Sequence, residues 1–264
     1  MTDAARTGAP PALNDPFARL EGPLAGATRM RLQVVENRLL TPSMQQVVLS
    51  APELEGFSYR PGQDFMLMVA VDSGRPVRRR YTIRDVDPAR RLLTLGIVRH
   101  DGGPGEQWVV SARPGDDIEG IGPRGKIFPA ADAAWHLFAG DFSALPAFFT
   151  MAGSLPPGAR ATVILEVPGP GDEQELAAAA EVEVAWLHRG ARRPGDPSAL
   201  AGAVAEVMLP PGGAHAYLAG EAGQVMALRE ALAARGLAGE QVSPKAYWGL
   251  GRANAAHGEP ARDG

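Results

Sequence analysis

The chain has 264 residues, of which 45% are hydrophobic and 21% are charged, and its formal net charge is −4. This length is enough for two modest domains, and the mildly acidic balance gives no reason to expect nucleic acid as a partner. The chain has no cysteine, which excludes disulfides, cysteine-ligated zinc, iron–sulfur clusters and thiol catalysis. The absence of cysteine fits a reducing compartment, and the cytoplasm is the default prediction for the location.

The two ends of the chain predict mobile tails. Residues 1–28 are rich in alanine, proline and glycine and lack a basic start followed by an apolar segment, so no secretory signal is expected there. Residues 253–264 are interpreted as a second tail. No apolar run is long enough for a membrane helix, and we therefore expect no membrane partner.

Residues 29–131 predict an antiparallel barrel of six strands. Apolar or alternating segments recur at short, regular spacing and are separated by turn-forming residues, a pattern typical of antiparallel barrels and sandwiches. The predicted strands are 30–40, 44–51, 64–71, 77–83 and 91–98, with a sixth within 115–128.

Residues 132–252 predict an α/β domain built on a parallel sheet. The predicted strands are 134–140, 161–167, 182–188 and 214–220, and the predicted helices are 143–153, 198–208 and 221–235. Alternation of strands and helices favours a parallel sheet covered on both faces, which binds ligands beyond the C-terminal ends of its strands. The acidic, alanine-rich segment 171–181 is interpreted as a solvent-exposed helix face.

The segment RRRYTIR at 78–84 concentrates positive charge around an aromatic ring and a hydroxyl. In a strand, Arg79 and Tyr81 share one face and Thr82 lies on the other. An arginine fork binds a pyrophosphate through paired hydrogen bonds, a tyrosine covers a flat heterocycle, and a threonine hydrogen-bonds a ring nitrogen. The segment therefore suits a flavin, and a charged edge strand that prevents aggregation is the alternative.

The segment VRHDGGPGEQW at 98–108 leaves a strand and passes through a glycine-rich turn into a predicted helix start. Such a turn exposes several backbone N–H groups and makes an anion site. His100 precedes the turn, where it is placed to pack on a cofactor. An ordinary turn and an ordinary loop histidine are the alternatives.

These two motifs, in this order, resemble the FAD-binding barrel of the ferredoxin-reductase superfamily. Within it they are most similar to the siderophore-interacting proteins, which are NAD(P)H-linked ferric-siderophore reductases. The family's R-x-Y-T-x-R pattern is matched by Arg79, Tyr81, Thr82 and Arg84. Its histidine, glycine–proline turn and tryptophan are matched by His100, Gly103, Pro104 and Trp108, with Gly105 where alanine is usual.

The resemblance continues into the second half and covers residues 30–259. The segment GDFSALPA at 140–147 matches a family motif, with Phe142 in place of an acidic residue. The segment starting YLAGEAG at 217 resembles the family's strand-to-helix junction. The ending AYWGLG at 246–251 carries Gly249 where the family has an arginine.

The resemblance implies that FAD is the cofactor and carries the chemistry, with no catalytic side chain and no protein-bound metal. Arg79 and the backbone of 102–105 would hold the diphosphate, Tyr81 would cover the flavin and Thr82 would hydrogen-bond near its reactive nitrogen. Ser143 would reach the flavin from the second domain. The other residues assigned to the FAD site are Val98, His100, Gly102, Gly103, Pro104, Gly105 and Trp108.

The resemblance also implies that electrons pass from NAD(P)H through FAD to a ferric siderophore, from which Fe(II) is released. An anionic ferric chelate needs an open, basic rim. The candidates for that rim are Arg60, Arg124, Lys126, Lys245 and Arg252. Phe142 is expected to stand where nicotinamide approaches, which favours a reduced electron-transfer protein as an alternative donor. The sequence shows no arginine cluster that would select the 2′-phosphate of NADPH.

Two other functions fit the same residues. One is a general flavin-dependent NAD(P)H:acceptor reductase, and the other is a non-catalytic protein that binds an iron chelate or a flavin. The sequence contains no coiled coil or long apolar helix, so a monomer is expected.

Overall fold

The structure is a computed structural model that describes residues 27–70, 76–99, 102–210, 213–237 and 239–251. Its first domain is a closed antiparallel barrel of six strands, as the sequence predicted, and the strand order is β1-β2-β5-β4-β3-β6. The strands are β1 (Thr28–Thr41), β2 (Met44–Ser50), β3 (Asp64–Val69), β4 (Val77–Asp87), β5 (Leu92–Val98) and β6 (Asp117–Arg124). One helix, α1 (Pro104–Ser111), lies between β5 and β6.

The barrel closes because alternate residues of its strands are apolar and meet in one interior. On β1, Leu32 and Val34 are buried while the residues between and beside them are exposed. All six residues of β3 are buried, since Phe65 points into the barrel core and Met66 belongs to a separate apolar cluster. The period of two therefore sets which side chains of each strand face outward.

The second domain is a five-stranded parallel sheet with the order β11-β10-β7-β8-β9. Its strands are β7 (Trp135–Asp141), β8 (Arg160–Val167), β9 (Glu181–His188), β10 (Ala214–Glu221) and β11 (Val242–Trp248). Its helices are α2 (Leu145–Gly153), α3 (Ser198–Glu206) and α4 (Ala222–Ala234). Helices α3 and α4 cover one face of the sheet, and α2 and the barrel cover the other.

Two elements differ from the sequence prediction. Strand β11 was not predicted because Pro244 and Lys245 interrupt its apolar character; it is an edge strand, where proline is tolerated. The helix expected at 171–181 was wrong, because the structure has only the 3₁₀ turn Pro170–Asp172 in this region. Asp172 is buried there by contacts with the barrel.

The two domains share an apolar core. Met44 of the barrel is fully buried against Phe138, Phe142 and Phe148 of the α/β domain. Strand β6 ends at Arg124 and β7 begins at Trp135, so the predicted boundary between residues 131 and 132 falls in their connection. No helix within the described ranges is long and apolar enough to cross a membrane.

Candidate functional site

The barrel brings Arg79 and Tyr81 against the first turn of α1. Gly103 is the N-cap of this helix and Pro104 is its first residue, a position proline favours. A Cβ atom on Gly105 would lie 2.5 Å from the Tyr81 hydroxyl and 3.5 Å from Cγ of Arg79. A side chain at position 105 would therefore have to displace the Tyr81 hydroxyl, and glycine lets these two side chains of β4 pack closely against the helix start.

The turn before α1 has space for an anion, although the backbone N–H of Gly102 donates a hydrogen bond to the Glu106 carboxylate. Gly102 has φ +85°, a conformation that favours glycine, and a Cβ on Gly102 or Gly103 would meet no atom within 4 Å. A helix N-terminus carries partial positive charge and free N–H groups. Together with the Arg79 guanidinium, this open backbone fits the diphosphate of the FAD that the sequence predicts.

Tyr81 and Trp108 form the aromatic part of this region. Their rings lie 6.4 Å apart at an interplanar angle of 23°, and both pack against the barrel core. Burial raises the pKa of the Tyr81 phenol above its ordinary value, although the charge of Arg79 opposes the shift. Tyr81 is therefore a neutral aromatic surface near the α1 turn.

Thr82, on the opposite face of β4, belongs to a polar contact between the domains. It is buried and is the ladder partner of Asp64 on β3. Asp64 accepts hydrogen bonds from Arg80 and, at 3.3 Å, from Nζ of Lys245 on β11. Tyr247, two residues further along β11, is hydrogen-bonded to the Thr82 side chain. Lys245 and Tyr247 lie on the same face of β11 and therefore contact Asp64 and Thr82 of the barrel.

The expected basic rim is only partly assembled. Lys245 is 7% exposed, so its placement on an open rim was wrong; its ammonium group is buried against Asp64 because β11 packs on the barrel. Arg60 and Lys126 are exposed, and the Arg60 guanidinium lies 3.5 Å from the Phe128 ring centroid. Arg252 lies outside the described residues, as does His100.

Arg124 is the half-buried member of that rim. It is a ladder neighbour of Asp64, and its guanidinium contacts the Met66 sulfur at 3.0 Å. Burial lowers the pKa of Arg124, and the positive charge of Arg80 adds to the effect. The barrel face around Asp64 therefore carries more positive than negative charge.

Phe142 and Ser143, which were predicted to approach the flavin from the second domain, lie in different environments. Phe142 is 3% exposed and packs in the shared core, where its ring fills apolar space between the domains; its role in the approach of nicotinamide stays a prediction. Ser143 is half-buried and donates its hydroxyl proton to Asp141 at 2.5 Å. Val98 ends β5 and packs against the shared core.

Asp141 joins three strand ends at the C-terminal edge of the sheet, where ligands bind in this class of fold. Its carboxylate accepts hydrogen bonds from the backbone N–H groups of Ser143 and Glu221 and from the Trp248 indole at 2.8, 2.7 and 2.8 Å. Glu221 in turn accepts bonds from the first turn of α4 and from Leu250.

An arginine cluster follows β9 at the same edge and was missed in the sequence. Arg189, Arg192 and Arg193 lie in the loop after His188, and Arg192 pairs with the buried Glu166 at 3.2 Å. Burial raises the pKa of Glu166, and the charges of Arg192 and Arg189 oppose the shift. The sequence RGARRP at 189–194 could have revealed this cluster, because it directly follows a predicted strand and loops in that position form the ligand-binding edge of the sheet.

The described residues hold no group of three or more metal-ligating side chains. A cavity of about 20 Å³ lies between the domains, lined by Ile127, Phe148, Met151, Tyr217 and Lys245 among others. That volume holds about one water molecule.

Both domains of the chain match known protein families. The family model described as siderophore-interacting FAD-binding domain matches residues 62–127, and the one described as siderophore-interacting protein matches 133–251. A siderophore utilization protein from T. fusca, known from a crystal structure, is 32% identical, with a TM-score of 0.78 over 88% of this chain and 96% of that chain.

Two curated relatives are named as reductases. Ferric vibriobactin reductase ViuB of Vibrio cholerae is 28% identical over 255 residues, which cover 86% of this chain and 92% of that protein. The NADPH-dependent ferric-chelate reductase of Escherichia coli is 25% identical over 239 residues, covering 82% of this chain and 91% of that protein. The paired domains, their order and these relatives place the chain in the siderophore-interacting protein family.

Proposed function

We propose that this protein is an FAD-dependent reductase that releases Fe(II) from ferric siderophores. The observation that carries the proposal is the meeting of Arg79, Tyr81 and the open α1 turn within the segment matched by the FAD-binding domain. The names of the Vibrio cholerae and Escherichia coli relatives support a ferric chelate as the electron acceptor. Bound FAD supplies the redox chemistry, while the protein binds and orients it.

Different residues of the chain bind different parts of the cofactor. Arg79 and the N–H groups at the start of α1 hold the diphosphate by charge and hydrogen bonds. The neutral ring of Tyr81 packs on the flavin, and Thr82 faces the flavin from the interface between the two domains. The shared apolar core excludes water from this interface.

The ferric chelate binds at the positively charged barrel face. Arg124 is half-buried, and its guanidinium is hydrogen-bonded to the Met66 thioether and not to a carboxylate, which leaves its charge available to an anion. Arg60, stacked on Phe128, and the exposed Lys126 extend this face outward. An anionic or catecholate siderophore has the matching charge.

The electron donor is NADPH rather than NADH. Arg189, Arg192 and Arg193 stand at the C-terminal edge of the α/β sheet, and an arginine in this position accommodates the 2′-phosphate of NADPH. The burial of Phe142 in the core keeps its ring off the open surface between the domains, which supports a nicotinamide donor over a protein donor.

The test is anaerobic turnover of the FAD-loaded protein with NADPH and a ferric catecholate siderophore, followed as the coloured Fe(II)–ferrozine complex. We expect Fe(II) to form at a rate that depends on the siderophore, with a lower KM for NADPH than for NADH. Flavin bleaching by NADPH without Fe(II) formation would establish the general reductase instead. A purified protein that binds the ferric chelate but no flavin would establish the non-catalytic carrier.

A further inference from the structure

A carboxylate occupies the start of α1, the place where the cofactor diphosphate is expected. Glu106 is the third residue of this helix, and its side chain is 16% exposed. Its Oε2 atom accepts a hydrogen bond from the backbone N–H of Gly102 at 2.9 Å. The N–H group of Gly102, one of those assigned to the diphosphate, is therefore bound to an acidic side chain of the chain itself.

The same carboxylate also lies near the positively charged side chain of Arg99. Oε1 of Glu106 lies 3.7 Å from Nε of Arg99, which is beyond hydrogen-bond length. That Nε atom is buried and has no hydrogen-bond partner within the described part of the chain. Because a buried unsatisfied donor is costly, Arg99 offers the Glu106 carboxylate an alternative position a short rotation away.

We propose that Glu106 is a displaceable carboxylate that competes with the FAD diphosphate for the α1 turn and moves to Arg99 when the cofactor binds. The inference rests on the proposed FAD site. It makes Glu106 a determinant of cofactor affinity that acts on the phosphates and leaves the isoalloxazine ring unaffected.

The balance of charge gives the direction of the effect. A carboxylate at a helix N-terminus is favoured in the empty protein, but close to a diphosphate it is repelled by like charge. The bond to Arg99 offsets part of that repulsion by satisfying the buried Nε atom. Removing the charge of Glu106 should therefore strengthen FAD binding, and removing Arg99 should weaken it as long as Glu106 is present.

The test is a fluorescence titration of the apoprotein with FAD and with riboflavin, which lacks phosphate. Glu106→Gln keeps a hydrogen-bond acceptor for Gly102 and removes only the charge. We expect it to bind FAD about tenfold more tightly, on the scale of a screened like-charge contact, with unchanged affinity for riboflavin. Glu119→Gln, at an exposed pair on β6, is the matched control and should change neither.

Arg99→Met completes a double-mutant cycle. We expect it to weaken FAD binding several-fold in the native background and to have no effect in the Glu106→Gln background. Equal or weaker FAD binding by Glu106→Gln would overturn the inference, as would an Arg99→Met effect that persists without Glu106. If folded native protein and Glu106→Gln both fail to bind FAD, the proposed function itself is wrong.

Discussion

At the scale of single residues, Asp64 offsets part of the positive charge of the barrel face that meets β11. Its carboxylate is 5% exposed and is bonded to both Arg80 and Lys245. The Arg80 contact uses both carboxylate oxygens, which is the strongest geometry for an arginine pair. Two partly or fully buried cations therefore share this carboxylate.

Asp64→Asn should lower the free energy of unfolding by about 3–5 kcal/mol, because breaking a buried pair leaves uncompensated charge behind. The measurement is urea denaturation at neutral pH. Asp117→Asn is the control: its partner Arg31 has a side chain that is 75% exposed, and such surface pairs contribute at most about 1 kcal/mol. Similar losses in the two variants would contradict a special role for Asp64.

At the scale of elements, buried carboxylates join the strand ends of the parallel sheet. Asp141 at the end of β7 binds the backbone of Glu221, where β10 passes into α4, and the indole of Trp248, where β11 ends. A Cβ atom on Gly220 would lie 2.6 Å from Asp141, and Gly220 has φ +136°. The glycine lets β10 turn closely around the Asp141 carboxylate.

Asp141→Asn should cost about 2–4 kcal/mol of unfolding free energy, because the new NH₂ group faces N–H donors that then lack an acceptor. The loss should come with a shift in Trp248 emission, since its indole loses a charged partner. Both are read from one urea titration. Asp196→Asn is the control, because Asp196 is a partly exposed acceptor for Ser198 N–H, a role that asparagine fills equally well.

The sequence predicted most elements because their apolar period is local. The six barrel strands, four sheet strands and three helices could be located from alternation and turn residues alone. Strand β11 could not, since Pro244 and Lys245 are accommodated only by an edge position and by Asp64 of the other domain. The segment 171–181 has helical composition, but contacts of Asp172 with the barrel decide its structure.

At the scale of the whole molecule, the candidate site depends on contacts across the interface between the two domains, and the sequence motifs do not reveal these contacts. The motifs gave Arg79, Tyr81 and the α1 turn, which lie within one domain. The burial of Lys245 and Phe142 and the bond between Arg84 and Gln174, at 2.9 Å, arise only when the domains pack together. Long-range packing therefore decides which motif residues are open to a ligand.

The shared core and the Asp172 contact should make the two domains unfold together. Asp172 is 3% exposed and accepts hydrogen bonds from the Thr41 hydroxyl, the Ser43 N–H and the Ser43 hydroxyl at 2.7, 2.8 and 3.0 Å. Asp172→Ala leaves the Ser43 N–H without this acceptor and should cost about 3 kcal/mol. For a chain of this size we expect a fall in Tm of about 6–12 °C.

Calorimetry of the native protein and of Asp172→Ala measures this, and in both we expect one transition with equal calorimetric and van't Hoff enthalpies. Thr41→Val, which removes a single hydrogen bond to Asp172, is the control and should lower Tm by about a third as much. Two separated transitions, with only one of them moved by the Asp172 substitution, would contradict a common unfolding unit. The interface between the domains would then be weak, and folding of the two domains would not by itself hold Thr82 against Tyr247.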